Sequence, residues 1–201
     1  MPSPELPELL VKDAAEWRSW LQAHHHDRIG VRLVLAKRGS VSVTELTHAK
    51  ALEEALAFGW IDGQASQRDD CSWIVRFTPR RRRSAWSKRN TQIVDRLLAE
   101  GRMHAAGVEE VERAKADGRW AAAYAGTATA EVPGDLLAAL ETAPIAKENF
   151  SRLTSQNRFA ILYRLQAARR PDTRARHIAR FVAMLQTGET PYPQRLPLRH
   201  S

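Results

Sequence analysis

The chain has 201 residues, 43% of them hydrophobic, with six tryptophans and a formal net charge of +8 from 31 Lys and Arg against 23 Asp and Glu. That is enough apolar material for one domain, or a small domain with a helical extension, and it excludes a disordered polar chain. A lone cysteine, Cys71, excludes an intramolecular disulfide and a thiolate metal cluster.

The N-terminal MPSPELPELLVKDAAEWRSW is acidic and has no apolar stretch of signal-peptide length. No window approaches the roughly 20 apolar residues needed to cross a bilayer. The expectation is a soluble protein of the cytoplasm. Leu9, Leu10 and Val11 suggest a short extended piece. Asp13 and Glu16 form a capping box, and Trp17, Trp20 and Leu21 follow at helical spacing, so 14–23 reads as a helix. Alternation through Val31, Leu33 and Leu35 predicts a strand over 30–36. Ser42 and Glu45 make a second capping box, opening a helix that carries Leu46, Ala49, Leu52, Ala55 and Leu56 and stops at Gly59.

GWIDGQASQRDD and CSWIVRFTP read as an antiparallel hairpin turning near Asp69 and Asp70. A basic loop follows, then helices over 88–100 and 105–117, a connector over 120–133, and helices over 134–141, 144–152, 155–169 and 172–187. The last shows an Ile178, Phe181, Val182, Leu185 stripe. The fold class is α+β: a small antiparallel sheet packed with helices, then an all-helical C-terminal region. The expected organisation is an α+β unit at 1–83, a helical region at 84–190 packed on it, and an extended or disordered tail at 191–201.

FTPRRRRSAWSKRN, residues 77–90, concentrates the charge. Without Arg80, Arg81, Arg82, Arg83, Lys88 and Arg89 the balance is 25 cations against 23 anions, or +2. Such a field attracts nucleic acid, anionic lipid or an acidic ligand. Beside it, Trp60, Asp62 and Gln64 share strand parity. An antiparallel partner brings Arg76 and Thr78 near, and the loop delivers Arg80, Trp86, Lys88 and Asn90 at a helix start. These nine residues are the candidate ligand-binding set for a small molecule or peptide, an anionic one included. The alternative is a structural network in which Asp62 pairs with Arg76 or Lys88 and Trp60 is core. Arg80–Arg83 with Lys88 and Arg89 form the candidate anion or nucleic-acid contact, with Trp86 for stacking; the alternative is a solvated loop. Arg174, Arg176 and Arg180 could touch phosphates, but the joint ARRPD lacks a helix-turn-helix glycine turn.

His24–His26 read as a helix C-terminal cap. His48, His104, His177 and His200 show no ligand-spaced partner, and no metal or cofactor is implied. No catalytic residue is assigned; Asp62 could act as a general acid or base if buried, and the sequence leans away from an enzyme. Neither oligomeric state nor ligand identity is encoded in these patterns.

GWIDGQ at 59–64, RFTPRRRRSAWSKRN at 76–90, AEGRM at 99–103, ERAKADGRW at 112–120 and NRFAILYRLQAARRPDTRARHIARFVAML at 157–185 occur in one order. With these motifs the chain resembles the YdeI/OmpD-associated family, called bacteriocin-protection proteins, over roughly 8–190. The resemblance implies an α+β unit followed by helices, protection against antimicrobial peptides, and association with the envelope; no catalytic set comes with it. A fainter likeness to small α+β proteins that include proposed iron chaperones brings no metal function, because no acidic ridge is present.

Overall fold

The computed structural model describes residues 6–27, 29–37, 39, 44–126, 131–168 and 170–194. It is α+β, with four strands and eight helices among those residues. The chain divides into two compact units, Met1–Ala123 and Tyr124–Ser201.

The first unit runs β1 (Glu8–Leu9), α1 (Ala14–His24), β2 (Val31–Ala36), α2 (His48–Ala57), β3 (Trp60–Gln67), β4 (Ser72–Pro79), α3 (Lys88–Ala99) and α4 (Ala105–Ala116). The sheet order is β1-β2-β4-β3. β1 lies parallel to β2, and the β2/β4 and β4/β3 pairs are antiparallel. Alternation places Val31, Leu33, Leu35, Val75 and Phe77 on one face, where α1 and α2 bury them. Trp17, Trp60 and Phe77 are fully enclosed there, each contributing about 2–3 kcal/mol through apolar burial.

The division falls at 123/124 rather than at 83/84. Trp86, Val94, Leu97, Val111 and Ala114 belong to the same core as the sheet, so α3 and α4 complete the first unit. Ser42 of the expected capping box lies outside the described residues. Thr44–Thr47 is not helical, and α2 instead starts at His48 with the Thr47 hydroxyl accepting from the Lys50 amide. Gly59 stops this helix as expected, at φ 77°, a left-handed position that favours glycine.

AEGRM and DGRW have a structural explanation. Gly101 (φ 65°) and Gly118 (φ 79°) each follow a helix end, and each is followed by an arginine that turns back onto a buried glutamate. Arg102 donates to Glu54 at 2.6 Å, a carboxylate shared with Arg18 at 2.6 Å. Arg119 donates to Glu110 at 3.0 Å, shared with Arg113 at 2.5 Å. The backbone bonds Gly101 N to Leu98 O and Arg102 N to Leu97 O close the Schellman pattern behind the first. Burial opposes the charge of both arginines, but Glu100 and Glu54 around Arg102, and Asp117 and Glu110 around Arg119, outweigh it and raise their pKa.

The second unit contains α5 (Gly134–Glu141), α6 (Pro144–Ser151), α7 (Ser155–Ala167) and α8 (Pro171–Gln186). Leu136, Leu140, Ile161, Leu165, Phe181 and Leu185 form its core. Asn149 is fully buried and donates to the Leu185 carbonyl at the end of α8. Residues 191–194, expected within an extended or disordered tail, are tied down: buried Asn157 donates to Tyr192 O at 2.9 Å and accepts from Tyr192 N at 2.8 Å. The rest of that tail, including His200, lies outside the described residues.

Candidate functional site

The structure distributes the expected ligand-binding residues among three places. Trp60 is core, its indole donating to His25 O. Asp62 pairs in register with Phe77 and shares its face, but an irregularity between Asp62 and Ala65 changes the strand's parity. Gln64 therefore faces the opposite side, in a cleft with Arg32, Ser66, Ile74 and Arg76. Arg76 stands opposite Arg32 rather than beside Asp62, and Thr78 shares its parity. Lys88 is exposed at the first position of α3, while Asn90, two residues on, is buried.

The basic loop divides as well. Arg80 is 8% exposed and lies over the Trp86 ring with its guanidinium carbon 3.5 Å from the centroid, donating to Ala85 O at 3.1 Å. Trp86 is 1% exposed and packs on Trp120 at 4.8 Å. A tryptophan so enclosed offers no stacking face to a base. Arg81, Arg82 and Arg83 are exposed on a tight turn, where Arg81 N donates to the Ser84 hydroxyl and Ser84 N to Arg81 O. The electrostatic surface of the loop is thus Arg81–Arg83 with Lys88 and Arg89.

Polar groups converge with an aromatic wall at the other end of the sheet. A cavity of about 1000 Å³ is lined by Ala36, Lys37, Thr47, His48, Gln67 and Trp73, among others. The start of α2 places His48 against β3, where Nε2 meets Asp62 Oδ2 at 2.9 Å; the two side chains are 26% and 29% exposed. Trp73 lies 5.7 Å from the imidazole, its indole donating to Ala36 O. A carboxylate on Nε2 fixes the ring's orientation, and in the neutral ring it leaves Nδ1 as an acceptor. The first-turn amides of α2 add a preference for negative charge. At the rim, the Lys37 ammonium donates to Asp69 O at 2.5 Å. The Asp69 carboxyl is held down to about 2, first by the Ser72 hydroxyl and then by the Cys71 amide, with desolvation opposing. It thereby locks the β3–β4 turn; Cys71 there is exposed.

His48 and Trp73 were not singled out as site residues by sequence. Trp73 shares parity with Val75 and Phe77, and His48 precedes Leu52 by four residues, so both could be placed on inward faces. Their meeting depends on where α2 crosses β3.

His24, His25 and His104 are structural. The His25 amide caps α1 on Leu21 O, and His24 meets Asp27 at 3.0 Å. His104 caps α4, accepting from Ala106 N, and stacks on Phe58 at 4.7 Å. Burial, followed by the charges of His25, Arg18 and His26, pushes its pKa down. Arg174, a candidate phosphate contact, is tied to Asp135 at 2.5 and 2.9 Å. Among the described residues no group of three or more His, Cys, Asp or Glu is placed to hold a metal ion, and no helix is long and apolar enough to cross a membrane.

Residues 9–110 match a domain of unknown function, DUF8412, and residues 129–188 match the family described as bacteriocin-protection, YdeI or OmpD-associated. The bacteriocin-protection likeness is thus carried by the C-terminal segment rather than by roughly 8–190; GWIDGQ and the arginine run fall in the first match. No curated protein and no solved structure matches the chain.

Proposed function

The chain belongs to the DUF8412 family in its N-terminal half and carries a YdeI/OmpD-associated bacteriocin-protection domain, and from that premise we propose that it is a protective binding protein. In this reading it sequesters a toxic small molecule or a short peptide in the cleft lined by His48 and Trp73, with Asp62 holding the imidazole from behind, and acts in the cytoplasm. The observation that supports it is a cavity of about 1000 Å³ in which a carboxylate-oriented imidazole faces an aromatic wall. Ligand sites are commonly concave, mostly apolar and supplied with few polar groups.

Charge narrows the ligand. At a formal +8 the protein repels a polycationic peptide, attracts anionic molecules and leaves neutral ones unopposed. The ligand class is therefore a neutral or anionic compound with an aromatic or apolar body to lie on Trp73. A thermal-shift screen of anionic and neutral antimicrobial compounds tests this, with polycationic peptides and single-stranded DNA as comparisons. Hits should raise the melting temperature of wild type and lose that effect in His48→Ala and Asp62→Asn. Hits that persist in both variants, or stabilisation by DNA alone that disappears when Arg81–Arg83 become Ser, would replace this reading with nucleic-acid binding or another site. Turnover of a hit by wild type but not by Asp62→Asn would make the same cleft an enzyme's.

A further inference from the structure

The second unit contains a cavity of about 630 Å³ that plays no part in the cleft described above. Its polar lining includes Arg164 from α7, His177 and Arg180 from α8, and Thr190; Phe181 and Met184 supply apolar wall. His177, Arg180, Phe181 and Met184 follow the i, i+3, i+4, i+7 spacing that puts side chains on one helix face. The far wall is the segment after α8. Asn157 holds that segment through both backbone groups of Tyr192, and the Thr190 hydroxyl donates to Tyr192 O at 2.7 Å.

The arginines here differ from others in the unit. Arg174 grips Asp135, and Arg152 pairs with Glu148 at 3.0 Å. Arg164 and Arg180 have no hydrogen-bond or carboxylate partner among the described residues, although Glu189 also lines the cavity. His177 Nδ1 is buried without a hydrogen-bond partner there. A buried polar atom left unpaired is destabilising. Two guanidiniums against one carboxylate leave the cavity net positive before the imidazole is counted.

We infer that this cavity is a second binding site, for a small organic phosphate monoester. Guanidinium forks match phosphate oxygens, and a monoester carries close to two negative charges near neutral pH. With its own proton committed to Tyr192 O, the Thr190 hydroxyl can accept from a ligand hydroxyl. Phe181 and Met184 take the ester's apolar body, which inorganic phosphate lacks.

The test is a titration of the full-length protein with phenyl phosphate, inorganic phosphate and benzoate, followed by NMR of the histidine and tryptophan side chains. Phenyl phosphate should shift the His177 signals and bind at least about tenfold more tightly than either comparison ion. The pair Arg164→Gln/Arg180→Gln, at exposed positions, should keep the wild-type melting temperature and weaken phenyl phosphate at least about tenfold. Shifts at His48 or Trp73 in place of His177 would overturn the assignment. So would unchanged affinity in the double variant, inorganic phosphate or benzoate binding as tightly as phenyl phosphate, or no saturable binding. Of these results only shifts at His48 or Trp73 would bear on the cleft of the first unit, and they would support it; the others leave it untouched.

Discussion

Arg80→Ala removes a guanidinium that the structure places in the core, whereas Arg81–Arg83→Ser removes three that it places in water. Arg80 lies 3.5 Å from the Trp86 centroid and donates to Ala85 O. A desolvated cation–π pair is worth about 2 kcal/mol, and a hydrogen bond from a charged donor about 1.5–3 kcal/mol. Against these stands relief of the desolvation cost of a buried cation, which for an imperfectly solvated group amounts to several kcal/mol. Truncation also strands the Ala85 carbonyl and opens space against Trp86, so we expect a net loss of about 2–3 kcal/mol. For a chain of this size that lowers the melting temperature by roughly 5–10 °C. The triple serine variant keeps the Arg81–Ser84 backbone turn and should stay within about 0.5 kcal/mol of wild type. Differential scanning calorimetry of both variants decides the matter. A melting temperature for Arg80→Ala within 1 °C of wild type, or a larger loss in the triple variant, would refute the division of the loop.

Gly107→Ala should destabilise: a Cβ there would sit 2.1 Å from Ala57 O and 2.8 Å from Ala57 C. The gain in helix propensity is about 1 kcal/mol, while overpacking against backbone costs about 1–3 kcal/mol or more; urea denaturation showing a stabilised variant would contradict the α2–α4 packing. The depressed pKa of His104 makes its neutral form the folded one, so its contribution is intact above its ordinary 6.5 and is lost as pH falls from there through the folded value. His104→Asn, which keeps an N-cap acceptor, should flatten the decline in stability between pH 7 and pH 5, and an unchanged slope would show that the group does not titrate in that window. Asn157→Ala should cost about 1–3 kcal/mol and speed hydrogen exchange of the Tyr192 amide; unchanged exchange would mean that Asn157 does not hold this segment.

The α+β class and most element boundaries were legible because periodicity and caps are local. Asp13, Ser87 and Gly59 mark helix ends through their own side chains or backbone freedom, and the structure uses all three. Ser42 and Glu45 formed an equally good local pattern, yet α2 begins at His48, because Thr44 and Leu46 are buried in an extended segment first. The anchoring of 191–194 was not legible for a related reason: only tertiary structure supplies Asn157 to pair with Tyr192. The candidate site was less legible. Strict alternation put Gln64 beside Asp62, and a single irregularity in β3 separated them. Adjacent arginines looked alike in sequence, but Trp86 makes Arg80 a core residue and leaves its three neighbours outside. The buried Glu54 carries no sequence mark, since Arg18 and Arg102 come from elsewhere in the first unit; Glu110 shows only its i, i+3 partner Arg113, while Arg119 reaches it from beyond the helix end.

Protection is proposed to depend on the His48–Trp73 cleft. The most direct measurement is the minimal inhibitory concentration of a hit from the thermal-shift screen, in bacteria making wild type or His48→Ala at matched soluble levels. The proposal predicts that wild type raises this concentration several-fold over cells lacking the protein, and that His48→Ala raises it little or not at all. Equal protection by the two proteins, or none by wild type, would contradict it.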